Sequence, residues 1–153
     1  MINNEFKVWC INKQEWEKNI CFMNEKGQLL HETRTGLIPL RSDTHKAVFY
    51  IERRDENGVK IHEGDIVKDT LNIGNGLERF YLIEYNNERT GFVMKKLNKV
   101  KFDGNSVGVK IGICNATFRG HEKCGTKFEN PELLEYEGGN INEIYRNDCG
   151  RCS

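Results

Sequence analysis

Short runs in which apolar and polar residues alternate, separated by turn-forming residues, are the main pattern along this chain. Alternation with a period of two places every second side chain on one face of a β-strand, so each run predicts a strand. The most regular run is residues 107–113, where Val107, Val109, Ile111 and Ile113 share one face. Further strands are predicted at residues 5–11, 47–51, 59–62, 78–85 and 92–97, with another beginning at Ile66.

Turn residues join several of these runs. In the DENG segment (Asp55–Gly58), Asp55 is suited to bonding its own backbone, and Gly58 adopts a positive φ at low cost. Gly64 and Asp65 predict a second tight turn directly afterwards. The segment from Asp55 to Lys68 is therefore predicted to be two turns on either side of a short strand.

Two more hairpins and one irregular stretch complete the strand pattern. The NEKG residues at 24–27 separate two short apolar runs, and NNERTG at 86–91 does the same for two longer ones. In contrast, Gly36 and Pro39 break any period between residues 32 and 45, which predicts an irregular connection there.

Helical signals are confined to ENPELLEY at residues 129–136. Asn130 suits a helix cap, Pro131 suits the first helical position, and Glu132 suits the positive end of the helix dipole. One short helical turn is predicted near residues 130–137. Many short strands, with 15 glycines and only 2 prolines, predict a mainly β protein that forms a small barrel or sandwich.

Composition narrows the classes of function. Lysine plus arginine and aspartate plus glutamate number 23 each, so the 153-residue chain has no formal net charge. Dedicated nucleic-acid binders usually carry a basic excess, because phosphate neutralisation supplies much of their affinity. The N-terminal MINNEFKVW lacks the pattern of a signal peptide, and no apolar run is long enough to span a bilayer. A cytoplasmic protein with no membrane partner is expected, and its 6 cysteines are expected to be free thiols.

Three segments occur in an order and at a spacing that resemble a known family. They are FKVW at residues 6–9, DENGVKIHEGDIVK at residues 55–68 and GTKFENPELLE at residues 125–135. This pattern resembles the YopX-like family of phage and prophage proteins over essentially everything before the C-terminal tail. The chain departs from the family pattern at residues 51–54, IERR in place of TGL, and at Thr126, where the family has asparagine.

The resemblance implies a fold and a setting. It implies a mainly β protein whose central and C-terminal part is a small SH3-like barrel, preceded by an N-terminal β subdomain. We therefore divide the chain into an N-terminal β subdomain at residues 1–50, a YopX-like barrel domain at 51–137 and a polar tail at 138–153. The resemblance also implies a phage or prophage protein in the cytoplasm of a bacterial host, with oligomers and without an established activity.

No catalytic constellation is present in the sequence. Glu63 and Asp65 flank Gly64, but acids within a tight turn usually act as local hydrogen-bond acceptors. None of the serines lies in a GxSxG motif, and the glycine-rich segment at residues 74–76 lacks the third glycine and the helix of a dinucleotide loop. We therefore predict a protein that is not an enzyme and has no cofactor.

The CGRC motif at residues 149–152 is the most suggestive metal or redox feature. A thioredoxin-type dithiol needs a helix directly after its first cysteine, and only Ser153 follows Cys152 here. Zinc is a better alternative, although a lone CxxC in a polar tail is more often two free thiols, so we predict no metal. The four candidate zinc ligands are His121, Cys124, Cys149 and Cys152.

A lysine-rich segment, KKLNKVK at residues 95–101, supports a second alternative. Aromatic residues beside lysines in a small barrel are typical of surfaces that bind single-stranded nucleic acid, and Phe92 and Phe102 lie nearby. The competing interpretation is a solvated hairpin end with its aromatic rings in the core. The candidate nucleic-acid-binding residues are Lys95, Lys96, Lys99, Lys101, Arg53 and Arg54.

These observations favour a non-enzymatic accessory protein. The main hypothesis is that it acts through an unknown protein partner or by self-assembly as a homo-oligomer. Nucleic-acid binding by a small β-barrel protein of phage origin is the alternative.

Overall fold

A computed structural model describes residues 5–70, 79–97, 108–114 and 117–134. Strands dominate these residues, which confirms the prediction of a mainly β protein. The described part of the chain has no helix that is long and apolar enough to cross a membrane. The strands are β1 (Phe6–Cys10), β2 (Glu15–Trp16), β3 (Cys21–Met23), β4 (Leu29–Thr33), β5 (Gly36–Pro39), β6 (His45–Arg54), β7 (Lys60–His62), β8 (Asp65–Asp69), β9 (Phe80–Asn86), β10 (Gly91–Lys96), β11 (Lys110–Gly112) and β12 (His121–Thr126).

The chain divides into two compact units, Met1–Tyr50 and Ile51–Ser153. The three-part division made from the sequence stays a prediction, and residues 138–153 lie outside the described part.

Strands β1 to β5 lie in the first unit. β1 pairs antiparallel with β2 and with the beginning of β6, and Trp9 and Trp16 face each other across β1 and β2 with ring centroids 4.8 Å apart. The Lys7 ammonium lies 3.9 Å from the centroid of the Trp16 ring, a cation–π contact. A separate three-stranded sheet has the order β3-β4-β5.

The prediction of an irregular connection over residues 32–45 is wrong. Residues 36–39 form β5, which pairs with β4 from Leu30 opposite Pro39 to Thr33 opposite Gly36. A tight turn makes this pairing possible, since Gly36 has φ 125 and the Thr33 hydroxyl donates to its carbonyl at 2.7 Å. Glycine and proline interrupt the hydrophobic period here without ending the strand, because each lies at one end of an edge strand.

The second unit is built on a five-stranded antiparallel sheet, which curls into a half-barrel. Its order is β11-β10-β9-β8-β12. On one face, which we call the inner face, lies a buried hydrophobic cluster that includes Ile51, Ile61, Val67, Ile83, Met94 and Phe118. The other packs Ile66, Phe80, Leu82, Leu97 and Leu133 together.

The turns predicted between Asp55 and Lys68 are present. Asp55 Oδ1 accepts hydrogen bonds from the backbone N–H groups of Asn57 and Val59, each at 2.9 Å, and Gly58 has φ 82. Gly64 has φ 88 in the second turn. A Cβ atom at Gly64 would lie 2.8 Å from the Phe128 ring, so both backbone angle and space require glycine there.

Two 3-10 turns lie near the C-terminal end of the described residues, at Thr117–Gly120 and Pro131–Leu133. The second is the predicted helical turn, but the predicted Asn130 cap is wrong. Asn130 Oδ1 instead accepts from the Thr126 N–H at 3.2 Å, closing the turn that follows β12. The strand predicted at residues 107–113 is present as Lys110–Gly112, and residues 98–107 lie outside the described part.

Candidate functional site

Two of the predicted nucleic-acid-binding lysines, Lys95 and Lys96, lie next to each other on β10. Neighbouring residues of a strand point to opposite faces of the sheet. Lys95 Nζ lies 3.5 Å from Glu84 Oε2, and Glu84 Oε1 lies 3.7 Å from Lys110 Nζ, so Glu84 neutralises part of this surface. Lys96 is fully buried on the inner face and does not present its ammonium group at the surface.

The predicted arginines make local backbone contacts. Arg53 Nη1 donates to the Glu52 carbonyl at 3.0 Å, and Arg54 Nη1 donates to the Gly58 carbonyl at 2.8 Å. Lys99 and Lys101 lie outside the described residues. Of the four candidates that the structure describes, Lys96 is buried, and nucleic-acid binding stays a prediction.

The candidate zinc ligands are only half described. His121 lies at the start of β12, and the thiol of Cys124 donates to the Ile66 carbonyl at 3.4 Å. Cys149 and Cys152 lie outside the described residues. Within the ranges the structure describes, no group of three or more histidine, cysteine, aspartate or glutamate side chains could hold a metal ion. The four-ligand site stays a prediction.

Of the two acids that flank Gly64, Asp65 makes contacts that hold the backbone in place. Asp65 is only 1% exposed, and its Oδ2 accepts from the His62 N–H at 2.7 Å. Its Oδ1 lies 3.3 Å from Lys123 Nζ. Both oxygens of this carboxylate are therefore used to hold the β7–β8 turn and β12 in place.

An exposed apolar edge is the clearest surface feature of the first unit. β5 lies at the edge of its sheet, and Leu37 and Ile38 are 53% and 43% exposed. The Leu40 N–H donates to the Leu29 carbonyl at 2.8 Å. This bond shows that the main-chain groups of Leu40 face β4. Because the main-chain groups of successive residues face alternately towards and away from the partner strand, those of Pro39 and Leu37 point away from β4. Proline has no N–H, so Leu37 supplies the outward donor and both residues supply acceptors.

A second feature is a group of polar side chains at one end of the inner face, which we call the inner polar cluster. Its members come from four neighbouring strands or from positions bordering them. Asp69 of β8 is the Cα partner of His121 on β12, and Lys96 of β10 is the Cα partner of Tyr81 on β9. Arg79 precedes β9, and its Nη1 lies 3.8 Å from Asp69 Oδ2. The inner polar cluster consists of Asp69, Arg79, Tyr81, Lys96 and His121.

Aromatic packing and one hydrogen bond fix the histidine of this cluster. The His121 ring meets the Tyr81 ring edge-on, with centroids 5.6 Å apart. His121 Nδ1 lies 2.6 Å from the Thr117 carbonyl oxygen. Because a carbonyl oxygen only accepts, Nδ1 carries a proton and donates it, which leaves Nε2 as the other polar atom of the ring.

Burial and neighbouring charges shift two pKa values in the cluster. Burial raises the pKa of the Tyr81 hydroxyl above its ordinary value, and the Asp69 carboxylate adds to this, whereas Arg79 acts in the opposite direction. Burial lowers the pKa of the Lys96 ammonium, and the nearby positive charge of Arg79 lowers it further. Convergent polar groups with shifted pKa values on a buried face are typical of functional sites.

Sequence reasoning missed this cluster. The signal is present in ERFYLIEY, where Arg79 and Tyr81 fall on the same face as buried Ile83, so a charged residue occupies an inward position. Its partners Asp69 and Lys96 lie on other strands, and only the pairing register brings them together.

Comparisons with known proteins identify a matching family and a solved structure with a similar fold. A family model described as YopX protein matches residues 5–135. The crystal structure of protein EF1440 from Enterococcus faecalis is similar with a TM-score of 0.56 and 16% sequence identity. This similarity covers 88% of the present chain and 99% of EF1440, and at this identity it supports the fold alone. No curated protein matches the chain.

Proposed function

Since the chain belongs to the YopX protein family, we propose that it is a non-enzymatic phage or prophage accessory protein that acts by self-association through the edge of β5. The YopX family is not known as a family of enzymes. The cytoplasm of a bacterial host is part of this proposal and rests on the resemblance and on the sequence. The observation that carries it is the apolar edge of β5, on which Leu37 and Ile38 are exposed.

Edge strands present unpaired main-chain groups and are templates for pairing with another chain. Proteins usually protect such an edge with charged side chains or with proline. On β5 only Pro39 does so, and the strand otherwise exposes Leu37 and Ile38. An exposed apolar edge of this kind suits β-strand addition.

A second copy of the chain is the occupant that fits this edge. In a two-fold antiparallel pair centred on Leu37, the outward N–H of each Leu37 donates to the outward carbonyl of the other. Such an interface is self-complementary, as a two-fold axis requires. Pro39 supplies a further acceptor but no donor, so the ladder is short and burial of Leu37 and Ile38 must provide most of the stabilisation.

Protein association is better supported than nucleic-acid binding. Glu84 lies within ion-pair distance of Lys95, and Lys96 is buried. The formal net charge of zero provides no general attraction to phosphates.

Sedimentation velocity over a concentration series tests the proposal. The wild-type chain is expected to form a dimer, because the two-fold pair uses the β5 edge of both copies. Leu37→Lys is expected to shift it to monomer, because a lysine on the edge strand blocks pairing. Val59→Lys is the matched control, since Val59 is 45% exposed and lies in the second unit. A wild-type protein that stays monomeric at its highest soluble concentration would contradict the proposal. So would equal effects of the two substitutions.

A further inference from the structure

A cleft in the first unit has a volume of about 950 Å³. Its lining residues fall between Ile11 and Ala47, so the cleft lies wholly within that unit. Clefts that bind small molecules usually enclose about 300–1,000 Å³ and combine apolar walls with a few polar groups that orient the ligand. The cleft therefore has the size of a ligand-binding site.

Apolar side chains from both sheets of the first unit line the cleft. Met23 and Leu29 come from β3 and β4, and Ala47 comes from β6. Ile11 follows β1 and is 41% exposed, so apolar surface in the cleft is accessible to a ligand. We call these side chains the apolar wall, which consists of Ile11, Met23, Leu29, Pro39, Leu40 and Ala47. Such a wall suits an aliphatic group, because contact removes apolar surface from water on both sides.

Hydrogen bonds hold the surroundings of the cleft in place. The Ile11 N–H donates to the Thr44 carbonyl at 2.8 Å. In the turn between β3 and β4, Asn24 Oδ1 accepts from the N–H groups of Lys26 and Gln28 at 3.0 and 2.9 Å. The cleft is thus formed before a ligand binds, so little additional ordering opposes binding.

Most charged side chains at the cleft already have partners. Arg41 Nε and Nη2 donate to the two carboxylate oxygens of Asp43 at 3.0 and 2.6 Å, so these two charges offset each other. His45 Nε2 lies 3.6 Å from Glu17 Oε2. Lys46 also lines the cleft and has an interaction of its own. These four cleft residues therefore do not define the charge of a ligand.

Lys26 differs from them. It lines the cleft at an exposed position, and its ammonium group makes no ion pair or hydrogen bond with the residues that the structure describes. Ser42 lines the same cleft, and within the described ranges its hydroxyl has no hydrogen-bond partner either. One ammonium group and one hydroxyl beside an apolar wall suit a ligand with a single negative charge and an aliphatic body. Exposed ion pairs contribute little, so the aliphatic body supplies most of the affinity.

We propose that this cleft binds an aliphatic monocarboxylate, whose chain lies against the apolar wall and whose carboxylate accepts from Lys26 and from the Ser42 hydroxyl. Nucleic acid fits poorly, because its repeated phosphates need several cations. A cationic head group is repelled by Lys26. The site is separate from self-association, since Leu37 and Ile38 of the β5 edge do not line it.

An NMR titration of the isotope-labelled chain with octanoate, and separately with octanol, tests the proposal at low ionic strength. Octanoate is expected to shift the amide signals of residues that line the cleft in a saturable way. It should bind about three- to fivefold tighter than octanol, because only octanoate carries a charge for Lys26. Absence of saturable shifts would overturn the proposal. Shifts confined to the second unit, or equal binding of both probes, would do the same.

The length of the aliphatic chain tests the apolar wall. From hexanoate through octanoate to decanoate, affinity should rise about two- to fourfold for each CH₂ group, because each group that enters the cleft leaves water. Equal affinities across this series would show that the wall does not hold the ligand and would overturn the proposal.

Two pairs of variants locate the site. Ile11→Glu removes part of the apolar wall and adds a negative charge, so octanoate binding is expected to weaken by at least about tenfold. Ile20→Glu is its matched control, since Ile20 is 63% exposed in the same unit and does not line the cleft. Lys26→Met should lower the affinity for octanoate to that for octanol, whereas Lys18→Met, outside the cleft, should keep the preference.

All four substitutions lie at exposed positions, and the folding of each variant is checked by its circular dichroism spectrum and unfolding midpoint. Unchanged octanoate affinity in folded Ile11→Glu and Lys26→Met proteins would place the ligand elsewhere and overturn the assignment. If Ile11→Glu fails to fold, Lys26→Met alone provides this test. Leu37→Lys should bind octanoate as the wild-type chain does, which separates this result from the outcome for self-association.

Discussion

At the residue scale, the Asp55 carboxylate joins a local turn to a distant strand. Its Oδ1 accepts from two N–H groups within the Asp55–Val59 turn, and its Oδ2 accepts from the Lys123 N–H of β12 at 2.9 Å. Asp55 is buried, so these three hydrogen bonds replace its hydration. One side chain therefore ties the turn after β6 to the last strand of the sheet.

Replacing Asp55 with asparagine is expected to lower the free energy of unfolding by about 2–3 kcal/mol, because the amide NH₂ group cannot accept from a backbone N–H. Urea unfolding followed by tryptophan fluorescence measures this change. Asp43→Asn is the control, since Asp43 is exposed and pairs with exposed Arg41, and a change within about 1 kcal/mol is expected there. Equal losses in both variants would show that the Asp55 hydrogen bonds do not stabilise the fold.

The raised pKa of Tyr81 predicts a loss of stability at alkaline pH. In the unfolded chain the hydroxyl loses its proton near the ordinary value of 10.0, whereas the folded protein retains it to higher pH. The folded state thus binds more protons in this window, so the contribution of Tyr81 is complete below the unfolded pKa and is lost as pH rises through the folded pKa.

The predicted loss of stability is checked by measuring the unfolding free energies of the wild-type chain and of Tyr81→Phe. The measurements run from neutral pH to above the pKa of the Tyr81 hydroxyl in the unfolded chain. The difference between the two proteins should change in favour of Tyr81→Phe as pH rises. A difference that is constant across this range would refute the assignment to Tyr81.

Sequence reasoning succeeds at the residue scale where a side chain acts on its own neighbours. The Asp55 and Gly58 turn was predictable because the carboxylate and the N–H groups it binds lie within five residues. The inner polar cluster was not predictable, because the pairing registers of β8, β9 and β10 alone place Asp69, Tyr81 and Lys96 on the same face of the sheet. A shift of one residue in any register would reverse the face of each side chain.

At the element scale, the hydrophobic pattern predicted strands at the positions of β1, β6, β7, β9, β10 and β11, but none at β5 or β12. β5 was missed because it is an edge strand with no buried face, and all four of its residues are exposed. β12 is polar, HEKCGT, and a register shift between Lys123 and Gly125 disturbs its alternation. Such strands are specified by their partners more than by their own sequence.

The turn between β6 and β7 provides a test of backbone conformation without a change in packing. A Cβ at Gly58 would meet nothing within 4 Å, yet Gly58 has φ 82. Gly58→Ala is expected to cost about 1 kcal/mol of unfolding free energy, because alanine is strained at this angle. Gly91→Ala is the matched control, since its Cβ would also have space and its φ is not in the left-handed region. Thermal and urea unfolding compare the two, and an equal or larger cost at Gly91 would contradict this explanation.

At the scale of the whole molecule, each of the two units has its own pattern of burial. In the second unit, both faces of the sheet carry buried residues, including Ile66, Val67 and Ile83. In the first unit, Val8 and Val48 are buried on β1 and β6, whereas Leu29 is the buried hydrophobic residue of the β3-β4-β5 sheet. Local stability should follow these differences.

Hydrogen exchange measured by mass spectrometry or NMR is expected to show this order. Amides of β8, β9 and β10 should exchange slowest, and those of β3 and β5 should exchange fastest among the strands, because few buried contacts hold that sheet. Protection of β5 that rises with protein concentration would in addition support pairing of its edge. Uniform exchange rates across all strands would contradict the predicted order.

The position of β6 has a consequence for the evolution of this protein. Its ten residues, His45–Arg54, contain the bond between Tyr50 and Ile51 at which the two units divide. The strand pairs with β1 at its beginning and is followed in the sheet by β7. A crossover at the unit boundary would place the junction between two parent sequences inside one continuous strand, so a chimaera joined there is expected to pack less well than one joined in a turn. Exchange of genetic material between relatives should therefore preserve β6 intact and place crossovers in the turns on either side of it.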